Sequence, residues 1–203
     1  MCSSDLVSTI AMILKTVLPP TMDFEVMASD ISLKSLLVGK QGFYPESRIV
    51  GIPPDYLQRF FTKADGGYQV KDELKSKIKF DYHNLKHNSR LRNLNVVFCR
   101  NVLIYFDEAA QLTVINRFWD SMAAKSFLFI GHSESLFGMD TKFEFLKTDW
   151  ACFVPKKYLN CECVMDNMDN IDVLIVDDST LMRNLVSRML ESASSITVYT
   201  KTH

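Results

Sequence analysis

Two stretches, LNVVFCRNVLIYFD at residues 94–107 and FLFIGHSESLF at residues 127–137, decide the fold of this chain. Each begins with an apolar run, Leu94 to Cys99 and Phe127 to Ile130, of the kind that forms a strand buried on both faces. Between them, Glu108 to Met122 has the spacing of an amphipathic helix. A buried strand, a helix and a second buried strand in succession predict two parallel strands of one sheet.

The alternation of helices and strands continues on both sides of these stretches. The pattern as a whole predicts the α/β class with a mainly parallel sheet, in which ligands bind at the carboxyl ends of the strands. The further predicted elements are a helix at 6–18 stopped by Pro19-Pro20, a strand at 24–28, a helix capped by Ser32 and ended by Gly39, and a strand at 152–154.

Two segments interrupt or follow this pattern. Residues 40–80 are broken by prolines and by Gly66-Gly67, and they predict a small β-rich insertion with a hairpin and one short helix at 54–61. Residues 158–170 have no period and are interpreted as a linker. A fresh strand–helix–strand pattern begins at Ile171 with the run IDVLIV. The predicted organisation is a domain at 1–157, the linker, and a partial second domain at 171–203.

Composition excludes several functions. A net charge of −1 over 203 residues gives no bulk attraction to nucleic acid or to an anionic membrane. The sequence has no apolar run long enough to span a bilayer and no basic region ahead of an apolar start, so we expect a cytoplasmic protein without membrane insertion. Five irregularly spaced cysteines are typical of reduced thiols, and the Cys161-Glu162-Cys163 pair is too sparse to indicate zinc.

Several motifs in order resemble the CheR family, the receptor glutamate methyltransferases of bacterial chemotaxis. The resemblance covers roughly residues 8–157 and implies a Rossmann-like sheet that binds S-adenosylmethionine. It also implies methyl transfer to glutamate side chains in the cytoplasmic domain of transmembrane chemoreceptors. The motifs are SDISLKSL at 29–36, GFYPESRIVGIPPDYLQRFF at 42–61, the 70–80 segment, FCRNVLIYFD at 98–107 and FLFIGHSESLF at 127–137.

The resemblance also implies roles for individual residues. Asp30 matches the ribose-binding acid, Asn84-Leu85 the pair beside the adenine, and Arg100-Asn101 a pair at the cofactor. Tyr105 matches a tyrosine near the point of methyl transfer, and Arg100 and Tyr105 are the predicted catalytic residues. Structural alternatives stay open: Asp30 as a helix cap, Asn84 as a turn residue, and Tyr105 as a half-buried core residue.

The segment Gly131-His132-Ser133-Glu134 matches the family's GHSE loop. A hydrolase triad is disfavoured there, because neighbouring residues of an extended segment point to opposite faces. We expect this loop to shape the substrate cleft instead.

The first nucleotide motif departs from the family. The family pattern runs C-S-T-G-E-E-P-Y-S, whereas residues 2–9 read CSSDLVST and lack the glycine, the acidic pair and the proline. The family's preceding strand and amino-terminal helical domain are also expected to be missing. These departures leave open a non-catalytic fragment or fusion remnant that keeps only receptor binding or partial receiver features.

The final segment, IDVLIVDDSTLMRNLVSRML at 171–190, resembles the beginning of a response-regulator receiver domain like that of the partner methylesterase, CheB. That resemblance implies a possible magnesium site at Asp177-Asp178, since Mg²⁺ prefers carboxylate oxygen. The alternative for the acidic pair is helix capping. A response-regulator function is disfavoured, because the phosphate-accepting aspartate is expected beyond His203.

Overall fold

The computed structural model describes residues 4–131, 133–147, 151–155 and 170–177. These residues form a seven-stranded sheet with the strand order β5-β1-β10-β6-β7-β9-β8, and a separate three-stranded sheet with the order β2-β4-β3. The helices are α1 (Ser4–Val17), α2 (Leu33–Gln41), α3 (Pro54–Phe60), α4 (Asp72–Lys75) and α5 (Glu108–Ser121). The strands are β1 (Asp23–Asp30), β2 (Phe43–Pro45), β3 (Phe61–Ala64), β4 (Gly67–Val70), β5 (Ile78–Tyr82), β6 (Leu94–Arg100), β7 (Met122–Ile130), β8 (Phe143–Lys147), β9 (Ala151–Pro155) and β10 (Asn170–Asp177).

The prediction of a mainly parallel sheet is confirmed. Strands β5, β1, β10, β6 and β7 run parallel to one another. At one edge of the described sheet, β9 pairs antiparallel with β7, and β8 pairs antiparallel with β9. The predicted elements of residues 6–154 appear within a few residues of their expected bounds, with one clear exception in β7. That strand begins at Met122, five residues before the predicted start at Phe127.

Helix α2 ends later than expected. Gly39 was predicted to stop it, but the helix continues to Gln41 and is capped by Gly42, whose φ of 66° is left-handed. Gly39 serves close packing instead, because a Cβ there would lie 2.5 Å from Cε1 of Phe80 on β5. The glycine that ends the helix is therefore the one that adopts positive φ, as helix C-caps commonly require.

Residues 43–70 contain the three-stranded antiparallel sheet and α3. The turn between β3 and β4 consists of Asp65 and Gly66, and Gly67 is the first residue of β4. This small sheet packs on α1: Tyr44, Phe61 and Val70 are buried in the same cluster as Met12. The hydroxyl groups of Tyr44 and Ser8 also lie 2.8 Å apart. The main sheet resumes with β5, so Ile78–Tyr82 belongs to it and not to the segment that was expected to reach residue 80.

Strand β10 is the middle one of the five parallel strands of the main sheet. We expected residues 171–203 to begin a separate domain, but β10 pairs in parallel with β1 on one side and with β6 on the other. For residues 171–177 the structure thus differs from the expectation of a separate unit, and the division of the rest of the chain into domains stays a prediction. Residues 178–203 and the predicted linker up to residue 169 lie outside the described part of the chain.

The side chains of β10 join the two halves of the core. Val173 is buried in the cluster that contains α1, whereas the next residue, Leu174, is buried in the cluster that contains α5. Successive residues of a strand point to opposite faces, so a central strand contributes to both cores. The apolar run that predicted a buried strand is thus explained, although its partners are the strands of the main sheet.

The amino-terminal part of β10 carries an acidic residue beside another acid. Asp172 lies in register with Glu25 of β1, and Glu25 pairs with Lys79 of β5. Burial, and then the charge of Glu25, raise the pKa of Asp172 above its ordinary value. Its backbone N–H donates to Oδ1 of Asn95 on β6 at 2.9 Å.

Replacing Leu174 by alanine should destabilise the whole described fold. The change leaves a cavity in the cluster that contains Leu174 and α5, which we call the second core cluster. It should lower the free energy of unfolding by about 2–5 kcal/mol. The matched change Leu37→Ala, at an exposed leucine of α2, should cost less than about 0.5 kcal/mol. Urea unfolding followed by tryptophan fluorescence measures both. A Leu174→Ala protein that unfolds like the parent would show that β10 is not part of the main cooperative unit.

Replacing Asp172 by asparagine should stabilise the protein at neutral pH, by about 0.2–1 kcal/mol as judged from like-charged neighbours across strands. A raised pKa means that the folded state holds the proton more tightly, so parent stability falls as pH rises through the range above the ordinary aspartate pKa. The advantage of asparagine should therefore vanish below that range, where both side chains are neutral. Thermal unfolding from pH 3 to 8 tests this, with Asp140→Asn, at an exposed aspartate, as control. A pH-independent difference would contradict the explanation.

Candidate functional site

The carboxyl ends of the central strands bring four predicted residues to one edge of the sheet. Asp30 is the last residue of β1 and lies in register with Tyr82, the last residue of β5, two positions before Asn84. Arg100 is the last residue of β6 and is followed by Asn101. The positions of these residues therefore lie at the same edge of the sheet, whereas their role at a cofactor stays a prediction.

Asp30 is held in a turn that leads into α2. Its Oδ1 accepts a hydrogen bond from the Ser32 N–H at 2.8 Å, while the Ser32 side chain accepts from Ser35 N–H and is the actual N-cap. Asp30 therefore does not cap α2 itself, and its side chain stabilises the turn that leads to the N-cap Ser32. A carboxylate has about four acceptor positions, so this single bond leaves capacity for hydroxyl groups of a ligand.

The turn after β5 fixes Asn84 and Leu85. The Asn84 Oδ1 accepts from Lys86 N–H at 2.9 Å, which is the turn arrangement weighed as an alternative for this residue. Its amide NH₂ group retains the donor capacity that an adenine edge needs. The Leu85 side chain is buried in the second core cluster, and its carbonyl accepts from Nη1 of Arg117 at 2.7 Å. Arg117, on α5, was not predicted from the sequence and fixes this turn.

His83 lies beside the same edge. Its backbone N–H donates to the Asp30 carbonyl at 3.2 Å, which ties the end of β5 to the end of β1. Burial lowers the pKa of His83, against an opposing effect from Asp81, so its imidazole is neutral at neutral pH. The edge therefore carries no added positive charge from this histidine.

Asn101 adopts an unusual backbone conformation. Its φ of 56° is left-handed, a region that asparagine tolerates better than most residues. Its N–H donates to Oε2 of Glu134 at 3.0 Å. The half-buried Arg100 precedes it, so the pair forms the turn by which the chain leaves β6.

Tyr105 is exposed, with 70% of its surface accessible. The alternative of a half-buried core tyrosine is therefore wrong. The residue ends a short 3₁₀ helix, Leu103–Tyr105, whose first residue is buried in the second core cluster. The helix is anchored at Leu103 and presents Tyr105 to solvent on the side of the strand ends.

Glu134 is a buried acid that sequence reasoning placed only within a cleft-shaping loop. Its carboxylate accepts from the N–H groups of Gly131 at 2.6 Å, Asn101 at 3.0 Å and Leu103 at 2.7 Å. Ser133 is exposed, and His132 lies outside the described residues. In the sequence, this arrangement is indicated only by the glycine and the glutamate three residues apart in the GHSE segment.

The predicted magnesium site is only partly visible. The backbone of Asp177 ends β10 in register with Arg100, so it too reaches the candidate edge, whereas Asp178 lies outside the described residues. Within the described ranges there is no group of three acidic, histidine or cysteine residues suited to a metal ion. Magnesium binding at Asp177-Asp178 stays a prediction.

Among the helices of the described residues, every one is too short or too polar to cross a bilayer.

Comparison with known proteins gives consistent relatives. A Vibrio cholerae protein named chemotaxis protein methyltransferase 2 is 34% identical over 119 residues, covering 57% of this chain and 41% of its own length. A Borreliella burgdorferi chemotaxis protein methyltransferase is 36% identical over 136 residues, covering 64% of this chain and 48% of its own length. The chain thus spans about half the length of these curated relatives.

Among solved structures, one titled "The structure of LepI complex with SAM" aligns with a TM-score of 0.35 and 14% identity, covering 64% of this chain and 25% of the other. At that level the similarity carries no argument about function. The family match is far more extensive: the domain described as "CheR methyltransferase, SAM binding domain" matches residues 5–152. That range contains the strand ends and loops that bring Asp30, Asn84, Arg100 and Tyr105 to one edge, and the chain belongs to the CheR methyltransferase family.

Proposed function

We propose that this chain carries the cofactor and catalytic half of a protein-glutamate O-methyltransferase, which uses S-adenosylmethionine to methylate chemoreceptors. The observation that supports the proposal best is the position of an acid, an amide and a guanidinium group at the carboxyl ends of parallel strands of one sheet, in a chain of the CheR family. Named relatives with chemotaxis functions support the substrate class.

The residues present fit such a cofactor chemically. Asp30 offers carboxylate oxygens to ribose hydroxyls, and acids at strand ends commonly serve this purpose in nucleotide-binding sheets. Asn84 offers its amide NH₂ to the adenine edge. These two residues follow adjacent parallel strands, so a ribose and its base could be bound together.

The chemistry asks mainly for positioning. S-adenosylmethionine, when bound, supplies a methyl group activated by its sulfonium centre. The substrate is a glutamate carboxylate, which is already ionised near neutral pH, so no general base is required. Arg100 is assigned to orient the incoming carboxylate through its planar fork of donors, and the exposed ring of Tyr105 to exclude water at the point of transfer. The acceptor would be the cytoplasmic domain of a transmembrane chemoreceptor.

A binding function without turnover is the second candidate. Residues 2–9 lack the family's glycine and acidic pair, and the chain is already helical from Ser4. A helix leaves less backbone free to approach the methionine end of a cofactor than a glycine-containing loop does. This observation favours weak cofactor binding, with a dissociation constant above the micromolar range.

Transfer of labelled methyl groups decides between the two candidates. The chain is incubated with methyl-labelled S-adenosylmethionine and a purified chemoreceptor cytoplasmic domain, and alkali-labile methyl ester on the receptor is counted. Incorporation that depends on receptor glutamates supports the enzyme. Receptor binding in a pull-down without any labelled ester would support the non-catalytic candidate instead.

Asp30→Asn should weaken binding of S-adenosylhomocysteine by about tenfold to a hundredfold, the cost of losing charge-assisted hydrogen bonds. Asparagine retains an oxygen for the Ser32 N–H, so the turn itself is preserved. Asp23→Asn is the matched control, because Asp23 lies at the opposite end of the same strand. Calorimetry at high protein concentration measures both variants. Equal losses for the two would remove Asp30 from the proposed site.

Arg100→Ala should reduce methyl transfer more than Tyr105→Phe does, by about tenfold or more, or roughly 1.4 kcal/mol of transition-state stabilisation. The guanidinium can fix a carboxylate through two bonds, whereas the phenol contributes one hydroxyl and a ring that phenylalanine retains. Initial rates at saturating cofactor provide the comparison. A larger loss for Tyr105→Phe would make the phenol the positioning group.

A further inference from the structure

Glu134 joins two separate segments through its carboxylate. The side chain is buried, with 8% of its surface accessible, and it accepts three backbone N–H groups. Oε2 accepts from Gly131 at 2.6 Å and from Asn101 at 3.0 Å, and Oε1 accepts from Leu103 at 2.7 Å. Gly131 follows β7, whereas the other two donors belong to the loop after β6. An ionised carboxylate only accepts, so all three contacts are favourable.

These bonds fix a loop with an uncommon backbone conformation. Asn101 has φ 56°, which few residues other than glycine adopt, although asparagine tolerates it better than most. Leu103 begins the 3₁₀ turn in which Tyr105 N–H donates to the Val102 carbonyl at 3.2 Å and Phe106 N–H to the Leu103 carbonyl at 3.0 Å. The Glu134 carboxylate therefore holds both the turn that follows Arg100 and the base of the helix that exposes Tyr105.

Gly131 is required by the same arrangement. A Cβ at this position would lie 2.6 Å from Oε2 of Glu134, 2.7 Å from Oδ1 of Asn101 and 2.9 Å from the Asn101 nitrogen. Two of these three atoms take part in the carboxylate's hydrogen bonds. The absence of a side chain lets the end of β7 approach the loop closely, so the glycine and the glutamate of the GHSE segment serve one structural purpose.

We infer that Glu134 is the positioning residue of the loop at 101–105, which we call the active loop. Glu134 acts through Asn101 and Tyr105 and does not itself contact the reactants. The catalytic consequence rests on the proposed function, whereas fixation of the active loop does not. A glutamine cannot replace the acid, because one carboxylate oxygen becomes an NH₂ group that faces a backbone N–H.

The test compares Glu134→Gln with Glu144→Gln, the same change at an exposed glutamate of β8. The glutamine can direct its oxygen to Gly131 and Asn101, which leaves its NH₂ group against Leu103 N–H. We expect amide hydrogen exchange of Leu103 and of the turn to Phe106 to accelerate by at least about tenfold, with smaller changes at Gly131 and Asn101. Methyl transfer should show kcat reduced by at least about tenfold, with KM for the cofactor within about twofold. Glu144→Gln should change neither readout.

A second variant, Gly131→Ala, should open the same active loop by displacing Oε2, and should accelerate exchange at Asn101 as well as at Leu103. Unchanged Leu103 exchange in Glu134→Gln would overturn the inference, as would uniform acceleration of all amides, which would indicate loss of global stability only. Accelerated Leu103 exchange with parental kcat would also overturn it. If the parent chain transfers no methyl group, the proposed function fails. The fixation of the active loop by Glu134 is then supported or overturned by the exchange pattern of the two variants alone.

Discussion

Two rows of backbone hydrogen bonds, from β10 to β1 on one side and from β10 to β6 on the other, are the interactions on which the rest of the fold depends. Buried backbone N–H and C=O groups must be paired, because leaving them without partners costs about as much as losing a hydrogen bond each. Without a strand between them, β1 and β6 would each present such groups at the centre of the sheet. Val173 and Leu174 would also be withdrawn from the two core clusters at once.

The parallel direction of these pairings also determines the candidate site. Parallel neighbours end at the same edge, so the Asp30 and Arg100 positions lie on either side of Asp177. Neighbouring strands are about 4.8 Å apart, which separates the ends of β1 and β6 by roughly 10 Å, comparable to the length of a nucleoside. Side chains from elsewhere in the chain then fix the turns at this edge. Arg117 of α5 holds the turn after β5, and Glu134 holds the loop after β6. The central strand places the groups, and buried side-chain bonds to the backbone fix the loops that carry them.

Much of this arrangement could be predicted from local sequence patterns, and the remainder could not for definable reasons. Helical periodicity and apolar runs located α5 and β6, and the rule that ligands lie at strand ends brought Asp30 and Arg100 together. The exposure of Tyr105 depends on how its 3₁₀ helix is anchored, which no local pattern contains. The three bonds of Glu134 depend on backbone groups far apart in sequence, since Glu134 and Asn101 are separated by 33 positions. The position of β10 is likewise a long-range pairing.

The run IDVLIV shows that a sequence can predict a buried strand without predicting which strands it pairs with. A continuous apolar, β-branched run indicates burial on both faces, and such burial occurs in the centre of any parallel sheet. The resemblance to a receiver domain predicted that this strand belongs to the sheet of a second domain. In the structure it pairs with β1 and β6 of the main sheet. The departure from apolar character, Asp172, lies in the first half of the strand, where burial and Glu25 raise its pKa. The apolar character of the run is therefore interrupted at the position where β10 lies beside another acid of β1.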